Sequence, residues 1–266
     1  MLPHLIASHS QKKERAEAIG EVLRNTDYDV IFFQEAFHPL ARKKILAALR
    51  EKFPYQMGPA NQRRLSLIAS SGLWVFSRYP IVRREAIVYQ HRFGVDALSR
   101  KGALLVELNV DGQPLQVVGT HLQNCGSPTL KRKQCMELFD RLVRPAMRDG
   151  VPQVICGDFN IDRYRQTSDY DFMLGTLDAR DSNTDPAAYS YDRVNNDMRT
   201  EKGDGKDLID YILIRENGGT VAATPALVRF QKRWRPAHSD LSDHYSVSAE
   251  IRFTPRPVTS LALLKE

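Results

Sequence analysis

Short apolar stretches that end in a carboxylate, a histidine or an amide recur along this chain, and this pattern constrains the fold more than any other feature. The stretches are rich in Val, Ile, Leu and Phe, which is typical of buried strands. Because the ends of neighbouring strands meet at the edge of a sheet, the polar residues that follow them are expected to share one cleft. They are Glu35, His121, Asp158 and Asn160, joined by Asp210 within a later apolar stretch and by Asp243 and His244 just before the last one.

Helical patterns lie between these stretches. Residues 129–149 are predicted to form a long helix with a bend near Pro145. Residues 104–110 and 115–119 flank a turn sequence and are predicted to form a β-hairpin. No repeat or linker divides the chain, and a hydrophobic content of 42% is typical of globular proteins. We therefore predict an α/β fold, with helices covering sheet layers, in a single domain over residues 1–266.

Taken singly, each polar residue has an ordinary structural explanation. Asp158 and Asn160 alone are typical of a turn, and a lone histidine such as His121 is more often a surface residue. The spacing of Asp158 and Asn160 nevertheless places both side chains on one side of the chain, which suits a hard cation. Asp210 lies in an apolar strand, where a carboxylate is costly unless it is paired, and His244 is the candidate partner. Together these groups favour metal-assisted hydrolysis of a phosphate ester.

Charge and cysteine content leave the partner and the compartment open. The formal charge of +6 is compatible with phosphate-bearing partners, although a solvated basic surface is the commoner reason for it. Cys125, Cys135 and Cys156 cannot form a disulfide framework, although one pair can form. No apolar run is long enough for a transmembrane helix. No signal peptide is recognisable, so secretion would require a leader upstream of Met1, and a cytoplasmic location is expected otherwise.

The motifs around these residues, taken in order, resemble those of the endonuclease/exonuclease/phosphatase superfamily. The resemblance implies a deoxyribonuclease-I-like fold, which is an α/β sandwich of two mixed β-sheets flanked by helices. It spans almost the whole chain and is specific in order and spacing. The motifs are Gln34-Glu35, Thr120-His121-Leu122-Gln123, Gly157-Asp158-Phe159-Asn160, Asp210-Tyr211-Ile212 and Ser242-Asp243-His244.

Other features resemble the bacterial neutral sphingomyelinases, which are phosphodiesterases of the phospholipase C type. This narrower resemblance implies Mg²⁺-dependent cleavage of a phospholipid headgroup at a membrane interface, with sphingomyelin as the first candidate. A nuclease or another phosphoesterase on the same scaffold is the alternative, because function resides in the site loops. We expect a monomer in either case. The features are Lys101-Gly102, Lys131-Arg132-Lys133-Gln134, Tyr191-Asp192 with Asn195, and Ser239-Asp240-Leu241 before the last motif.

The resemblance also implies a role for each site residue. His244 is expected to act as general base, oriented by Asp210, and His121 to stabilise phosphoryl charge or to protonate the leaving oxygen. The cofactor is expected to be Mg²⁺, which Mn²⁺ or Co²⁺ can replace. The implied metal ligands are Glu35, Asp158, Asn160, Asp243 and His244. The implied catalytic residues are His244, His121, Asp210, Asp158 and Asn160, and the implied substrate contacts are Asn195, Lys101 and Trp234.

The chain departs from the superfamily pattern at two places. Superfamily members begin with a strand that ends in an Asn of the metal site, and the sequence that starts at Met1 contains no such strand ahead of the first helix. We expect that this sequence starts at an internal position of the protein. If the protein instead lacked the strand, a binding module without catalysis would be the better interpretation. Trp234 lies among basic residues where the sphingomyelinases often carry an exposed aromatic hairpin. A membrane-docking role and a half-buried packing role both suit it.

Overall fold

The computed structural model describes residues 9–62, 70–94, 99–199 and 205–254. Its α-helices are α1 (His9–Arg24), α2 (Pro39–Leu49), α3 (Pro128–Leu138), α4 (Arg144–Ala146) and α5 (Thr167–Leu177). Its strands are β1 (Val30–Phe33), β2 (Tyr55–Met57), β3 (Trp74–Ser77), β4 (Ile81–Val88), β5 (Gly102–Val110), β6 (Gln113–His121), β7 (Gln153–Asp158), β8 (Arg180–Asp181), β9 (Tyr191–Asp192), β10 (Lys206–Asp207), β11 (Asp210–Arg215), β12 (Thr220–Val228), β13 (Gln231–Arg235), β14 (His238–Asp240) and β15 (Ser246–Thr254).

A six-stranded sheet in the order β4-β5-β6-β7-β11-β8 forms the centre of the fold. The predicted hairpin is confirmed as β5–β6, and its two-residue turn places Asp111 and Gly112 at positive φ, as a tight hairpin requires. Strands β6 and β7 are parallel, whereas the other pairs are antiparallel. The carboxyl ends of β6 and β7 therefore meet the start of β11 at one edge of the sheet.

A second layer faces this sheet and completes the sandwich. It consists of the three-stranded sheet β1-β3-β2 and the antiparallel pair β12–β15. Val75 of β3, Val106 of β5 and Val221 of β12 share one buried apolar cluster, which lies between the layers. The α/β two-layer architecture predicted from the sequence is thus confirmed.

Helices cover both outer faces. Leu138 of α3 and Met173 of α5 pack with Ile155 of β7, and Ala16 of α1 and Leu49 of α2 belong to the cluster that covers β1 and β3. None of the described helices is both long enough and apolar enough to cross a membrane.

The helix predicted over residues 129–149 is interrupted earlier than expected. Helix α3 ends at Leu138, a π-helical turn follows over Phe139–Val143, and only α4 contains Pro145. A proline near the start of a helical segment needs no N–H partner. The irregularity therefore lies in the turn before Pro145, not at the proline itself.

Strand β1 has an open edge. Among the described residues it pairs with β3 alone, and each of its apolar residues, Val30–Phe33, is only partly buried. The expectation of a missing preceding strand concerns polypeptide outside the described residues.

Candidate active site

A cavity of about 1680 Å³ opens where β1, β6, β7 and β11 end or begin at one rim of the sandwich. Most of the site residues predicted from the sequence line this cavity. They are Glu35, Lys101, His121, Asp158, Asn160, Asp210, Asp243 and His244.

Asp158 lies at the centre of the site because of strand register. The parallel pair β6–β7 aligns it with His121, and the antiparallel pair β7–β11 aligns it with Asp210. The distance from His121 Nε2 to Asp158 Oδ2 is 3.3 Å. Burial, followed by repulsion from the Asp210 carboxylate, raises the pKa of Asp158 to about 7. A positive charge close to Asp158 is therefore favourable, because it would stabilise the ionised carboxylate.

Gly157 allows β7 to approach β6 closely just before Asp158. Its φ is +137°, and a Cβ added there would lie 2.0 Å from the carbonyl oxygen of Thr120. Only glycine combines that conformation with that contact. The backbone before Asp158 thus depends on the absence of a side chain.

The pairing predicted for Asp210 and His244 is present. Asp210 Oδ2 lies 2.8 Å from His244 Nδ1, and the backbone N–H of Asp210 donates to Ser190 Oγ at 3.1 Å. Tyr191 packs edge-on against the His244 ring at 4.8 Å between centroids. Burial acts to lower the pKa of His244, but attraction to Asp210 outweighs it and raises the pKa to about 10. The carboxylate therefore fixes both the orientation and the charge of the imidazole.

His121 has a cationic partner that sequence reasoning did not find. The Lys101 ammonium lies 3.0 Å from His121 Nε2 and also donates to the Leu122 carbonyl at 3.2 Å. An ammonium group has only donors, so Nε2 accepts and the ring is neutral. Burial, then repulsion from Lys101 and His244, holds the pKa of His121 well below its usual range. Both residues are buried, with Lys101 5% exposed.

Glu35 and Asn160 both adopt the left-handed backbone conformation, with φ of 54° and 52°. At Glu35 the turn is tightened by Gly72, since a Cβ on Gly72 would lie 2.9 Å from the Cα of Glu35. At Asn160 the side-chain amide donates to the Leu122 carbonyl at 3.1 Å, and its backbone N–H donates to Asp158 Oδ1 at 2.8 Å. Non-glycine residues held in this conformation are often part of functional sites.

Two partly buried arginines complete the site, and sequence reasoning missed both. Arg199 Nη1 lies 3.4 Å from Asp243 Oδ2, and its guanidinium lies over the Tyr191 ring at 4.4 Å. Arg15 lies near Asp243 and Glu35: burial lowers its pKa, and the two carboxylates oppose that effect. The sequence signal for Arg15 is its helical spacing with Ile19 in the apolar stripe of α1, where a charge needs a partner.

Asn195 and Trp234 are not among the residues that line the cavity. The Asn195 side chain donates to Asp192 Oδ2 at 2.9 Å. Trp234 is half-buried, stacks on His238 at 5.1 Å and donates its indole N–H to the Asp240 carbonyl at 2.9 Å. Each therefore has a local structural contact, and their contact with substrate stays a prediction.

The donor set fits a divalent cation. Ligand atoms of Asp158, Asp210 and His244 lie within 4.8 Å of one another, and two of these residues are buried carboxylates aligned across β7 and β11. Carboxylates held this close repel each other, and a hard cation relieves that repulsion. Glu35 and Asn160 add oxygen donors to the same cavity.

Comparison with known proteins gives a consistent result. The profile of the Endonuclease/Exonuclease/phosphatase family matches residues 7–244. The chain is 26% identical to Sphingomyelinase C 2 of Leptospira interrogans, over 92% of this chain and 43% of the relative. It is 25% identical to Sphingomyelinase C of Listeria ivanovii, over 88% of this chain and 78% of the relative.

Solved structures agree in fold. Beta toxin of Staphylococcus aureus superposes with a TM-score of 0.82 at 23% identity, over 90% of this chain and 92% of the toxin. Another structure of that toxin, with a TM-score of 0.75 at 22% identity over 90% of this chain and 91% of the toxin, contains bound magnesium ions.

Proposed function

Because this chain belongs to the endonuclease/exonuclease/phosphatase family, we propose that it is a Mg²⁺-dependent phosphodiesterase that cleaves phospholipid headgroups, with sphingomyelin as the first candidate. The chain is an enzyme that hydrolyses phosphoric ester bonds. The observation that carries the finer proposal is the arrangement of His244–Asp210 and His121–Lys101 on either side of Asp158. The lipid substrate is supported by the names of the relatives.

The residues that would hold Mg²⁺ are Asp158, Asn160, Glu35 and Asp243, and the Asp210–His244 pair lies beside them. When bound, the ion neutralises the carboxylates and the negative charge that develops on the phosphoryl oxygens. Hard oxygen donors predominate in this set, which is the chemistry that Mg²⁺ prefers. With its carboxylate neighbours neutralised, His244 would lose part of the attraction that raises its pKa.

His244 is the proposed general base. Its Nδ1 is held by Asp210, so the opposite ring nitrogen is the one available to take a proton from the attacking water. Asp210 positions the ring and stabilises the imidazolium that forms. This division of roles between an imidazole and a buried carboxylate needs no movement of either side chain.

Lys101 is the proposed cation for the phosphoryl group, and His121 holds it in place. The pKa of His121 is well below its usual range, so the ring is neutral and its Nε2 accepts a hydrogen bond from the Lys101 ammonium. The positive charge on that side of Asp158 therefore belongs to Lys101. A buried ammonium is effective at stabilising developing negative charge because little water screens it.

Hydrolysis assays test the proposal. Purified protein is given sphingomyelin vesicles, lysophospholipid, an aryl phosphodiester and plasmid DNA, each with Mg²⁺ and with chelator. We expect Mg²⁺-dependent release of phosphocholine, abolished in His244→Gln and reduced in Lys101→Met. Arg252→Met, on the exposed far end of β15, is the matched surface control. Cleavage of DNA alone, with steep salt dependence, would identify a nuclease instead.

A further inference from the structure

Residues 90–93, which we call the Phe93 loop, lie beside the active-site cavity. The loop follows β4, and the same connection leads on to Lys101, which lines the cavity. Phe93 is hydrogen-bonded to Gln123, two residues beyond His121. Its side chain is 64% exposed, more than that of any other large apolar residue among those the structure describes. The loop therefore presents an aromatic ring to solvent next to the active site.

Three buried side chains hold the backbone of the Phe93 loop. The Glu137 carboxylate accepts from the first two backbone N–H groups of the loop, at 2.7 and 2.9 Å. Gln134 Nε2 donates to the His91 carbonyl at 2.8 Å. Gln123 Oε1 accepts from the Phe93 N–H at 3.0 Å, and Gln123 Nε2 donates to the Phe93 carbonyl. Side chains thus fix this loop in the way that strand pairing fixes a sheet.

The three side chains belong to one network that reaches the catalytic rim. Glu137 and Gln134 stand on α3, and Gln134 Oε1 accepts from the backbone N–H of Gln123 at 2.9 Å. Gln123 and Gln134 are motif residues of the sequence to which the proposed catalysis assigns no role. Burying a carboxylate and two amides is costly unless each is hydrogen-bonded. A loop held in this way loses little conformational entropy when it binds, so it is suited to a contact surface.

Exposed apolar residues on neighbouring loops extend this surface around the cavity. Leu40, Tyr164 and Val194 are exposed, and each is next in sequence to a residue that lines the cavity. Together with Phe93 they stand on four separate segments, which follow β1, β4, β7 and β9. Arg92 is exposed beside Phe93, and an aromatic ring next to a cation is typical of a membrane surface. A protein partner would need one continuous packed area of about 800 Å², so apolar side chains spread around an opening favour a bilayer.

We propose that the Phe93 loop is a membrane-contact element whose aromatic ring enters the interfacial region of a phospholipid bilayer. The inference rests on the proposed hydrolysis of phospholipid headgroups and specifies how the cavity meets its substrate. Leu40, Tyr164 and Val194 would approach the same surface, and Arg92 would face the lipid phosphates. Because the loop is already fixed, the bilayer meets the cavity in one orientation. Burial of the ring should account for about a tenfold gain in affinity for vesicles.

Fluorescence of an indole introduced into the loop tests this contact without any turnover. Phe93→Trp is compared with Tyr55→Trp, because Tyr55 is an exposed aromatic residue at the end of the sheet opposite Glu35. Both variants also carry Trp234→Phe, which leaves buried Trp74 as the other emitter. Vesicles of sphingomyelin and phosphatidylcholine are added in chelator, so that no lipid is consumed. We expect the emission of Phe93→Trp to shift to shorter wavelength and to be quenched by brominated lipid, and that of Tyr55→Trp to stay unchanged.

Sedimentation with the same vesicles measures the affinity. Phe93→Ala should bind about tenfold more weakly than the wild type, and Tyr55→Ala should bind equally well, with the Tm of both variants preserved. An indole at position 93 that vesicles do not affect, or that responds only to a single-stranded oligonucleotide, would overturn the proposal. Phosphocholine release in Mg²⁺ without that response would refute the role of the loop alone. Vesicle contact at the loop without phosphocholine release would uphold that role and refute the proposed hydrolysis.

Discussion

Replacing Asp210 by asparagine removes one charge from the centre of the site with almost no change in shape. The side-chain carbonyl of the introduced asparagine can still accept from His244 Nδ1, so the ring position is preserved while the electrostatic attraction is lost. We expect the pKa of His244 to fall well below about 10, because burial lowers it and the attraction to Asp210 is lost. Only Asp158 and Asp243 are then left to raise it. The same change is expected to lower kcat/KM by about 10²-fold, at the low end of general-base contributions.

The effect on stability has a defined size and sign. At about 1.4 kcal/mol per pKa unit, a rise from 6.5 to about 10 corresponds to about 5 kcal/mol favouring the folded state. The folded pKa of His244 exceeds its unfolded value, so this stabilisation is complete below pH 6.5 and is lost as pH rises to about 10. Loss of Asp210 also relieves the repulsion that contributes to raising the pKa of Asp158 to about 7, and this gain applies above about pH 7, where Asp158 is ionised. We therefore expect the variant to be less stable by about 3–5 kcal/mol at pH 6 and at least as stable as wild type at pH 10.

Chemical denaturation from pH 6 to pH 10, with NMR titration of the labelled histidines, measures both quantities. Asp178→Asn is the matched control, because Asp178 pairs with Arg215 far from the site and its side chain is 78% exposed. The control should parallel the wild type throughout. A stability difference for Asp210→Asn that does not shrink as pH rises, or an unchanged His244 pKa, would refute the electrostatic reasoning.

Three further variants test other parts of the site. Glu35→Gln should lose most activity and require more Mg²⁺ for what remains, as measured by metal titration of the rate; full activity at ordinary Mg²⁺ would remove Glu35 from the ligand set. Gly157→Ala should lower the free energy of unfolding by roughly 2–4 kcal/mol, because the added Cβ meets the Thr120 carbonyl. The control Gly175→Ala in α5 should leave that free energy unchanged or raise it by up to about 1 kcal/mol. Chemical denaturation measures both. Trp234→Ala should slow hydrolysis of vesicle substrate more than that of a soluble aryl phosphodiester; equal losses with a lower Tm would make it a packing residue.

The parts of the site that sequence reasoning found are those that strand periodicity determines. His121, Asp158 and Asp210 each stand at a strand end or start, and pairing of β6, β7 and β11 brings them together through register alone. The Asp210–His244 pair was predictable for a different reason, since a carboxylate in an apolar strand requires a partner.

The contacts that sequence reasoning missed come from loops and helix faces. Lys101 precedes β5 and reaches His121 across the hairpin; the hairpin register places the two residues close together but does not specify which group the lysine side chain contacts. Arg199 reaches Asp243 from a polar segment without periodicity. The π-helical turn at Phe139–Val143 was also missed, because the apolar spacing of a helix continues through it in the sequence. We attribute this turn to packing against the sheet.

The left-handed conformation of Glu35 has an evolutionary consequence. Holding a glutamate at φ 54° costs about 1–3 kcal/mol that a glycine at the same position would avoid. Selection for stability alone would therefore tend to replace this glutamate. Its retention in a lineage would indicate selection for catalytic turnover. Variant libraries screened for thermal stability alone should accordingly be enriched in glycine at position 35, and the selected proteins should be more stable but inactive.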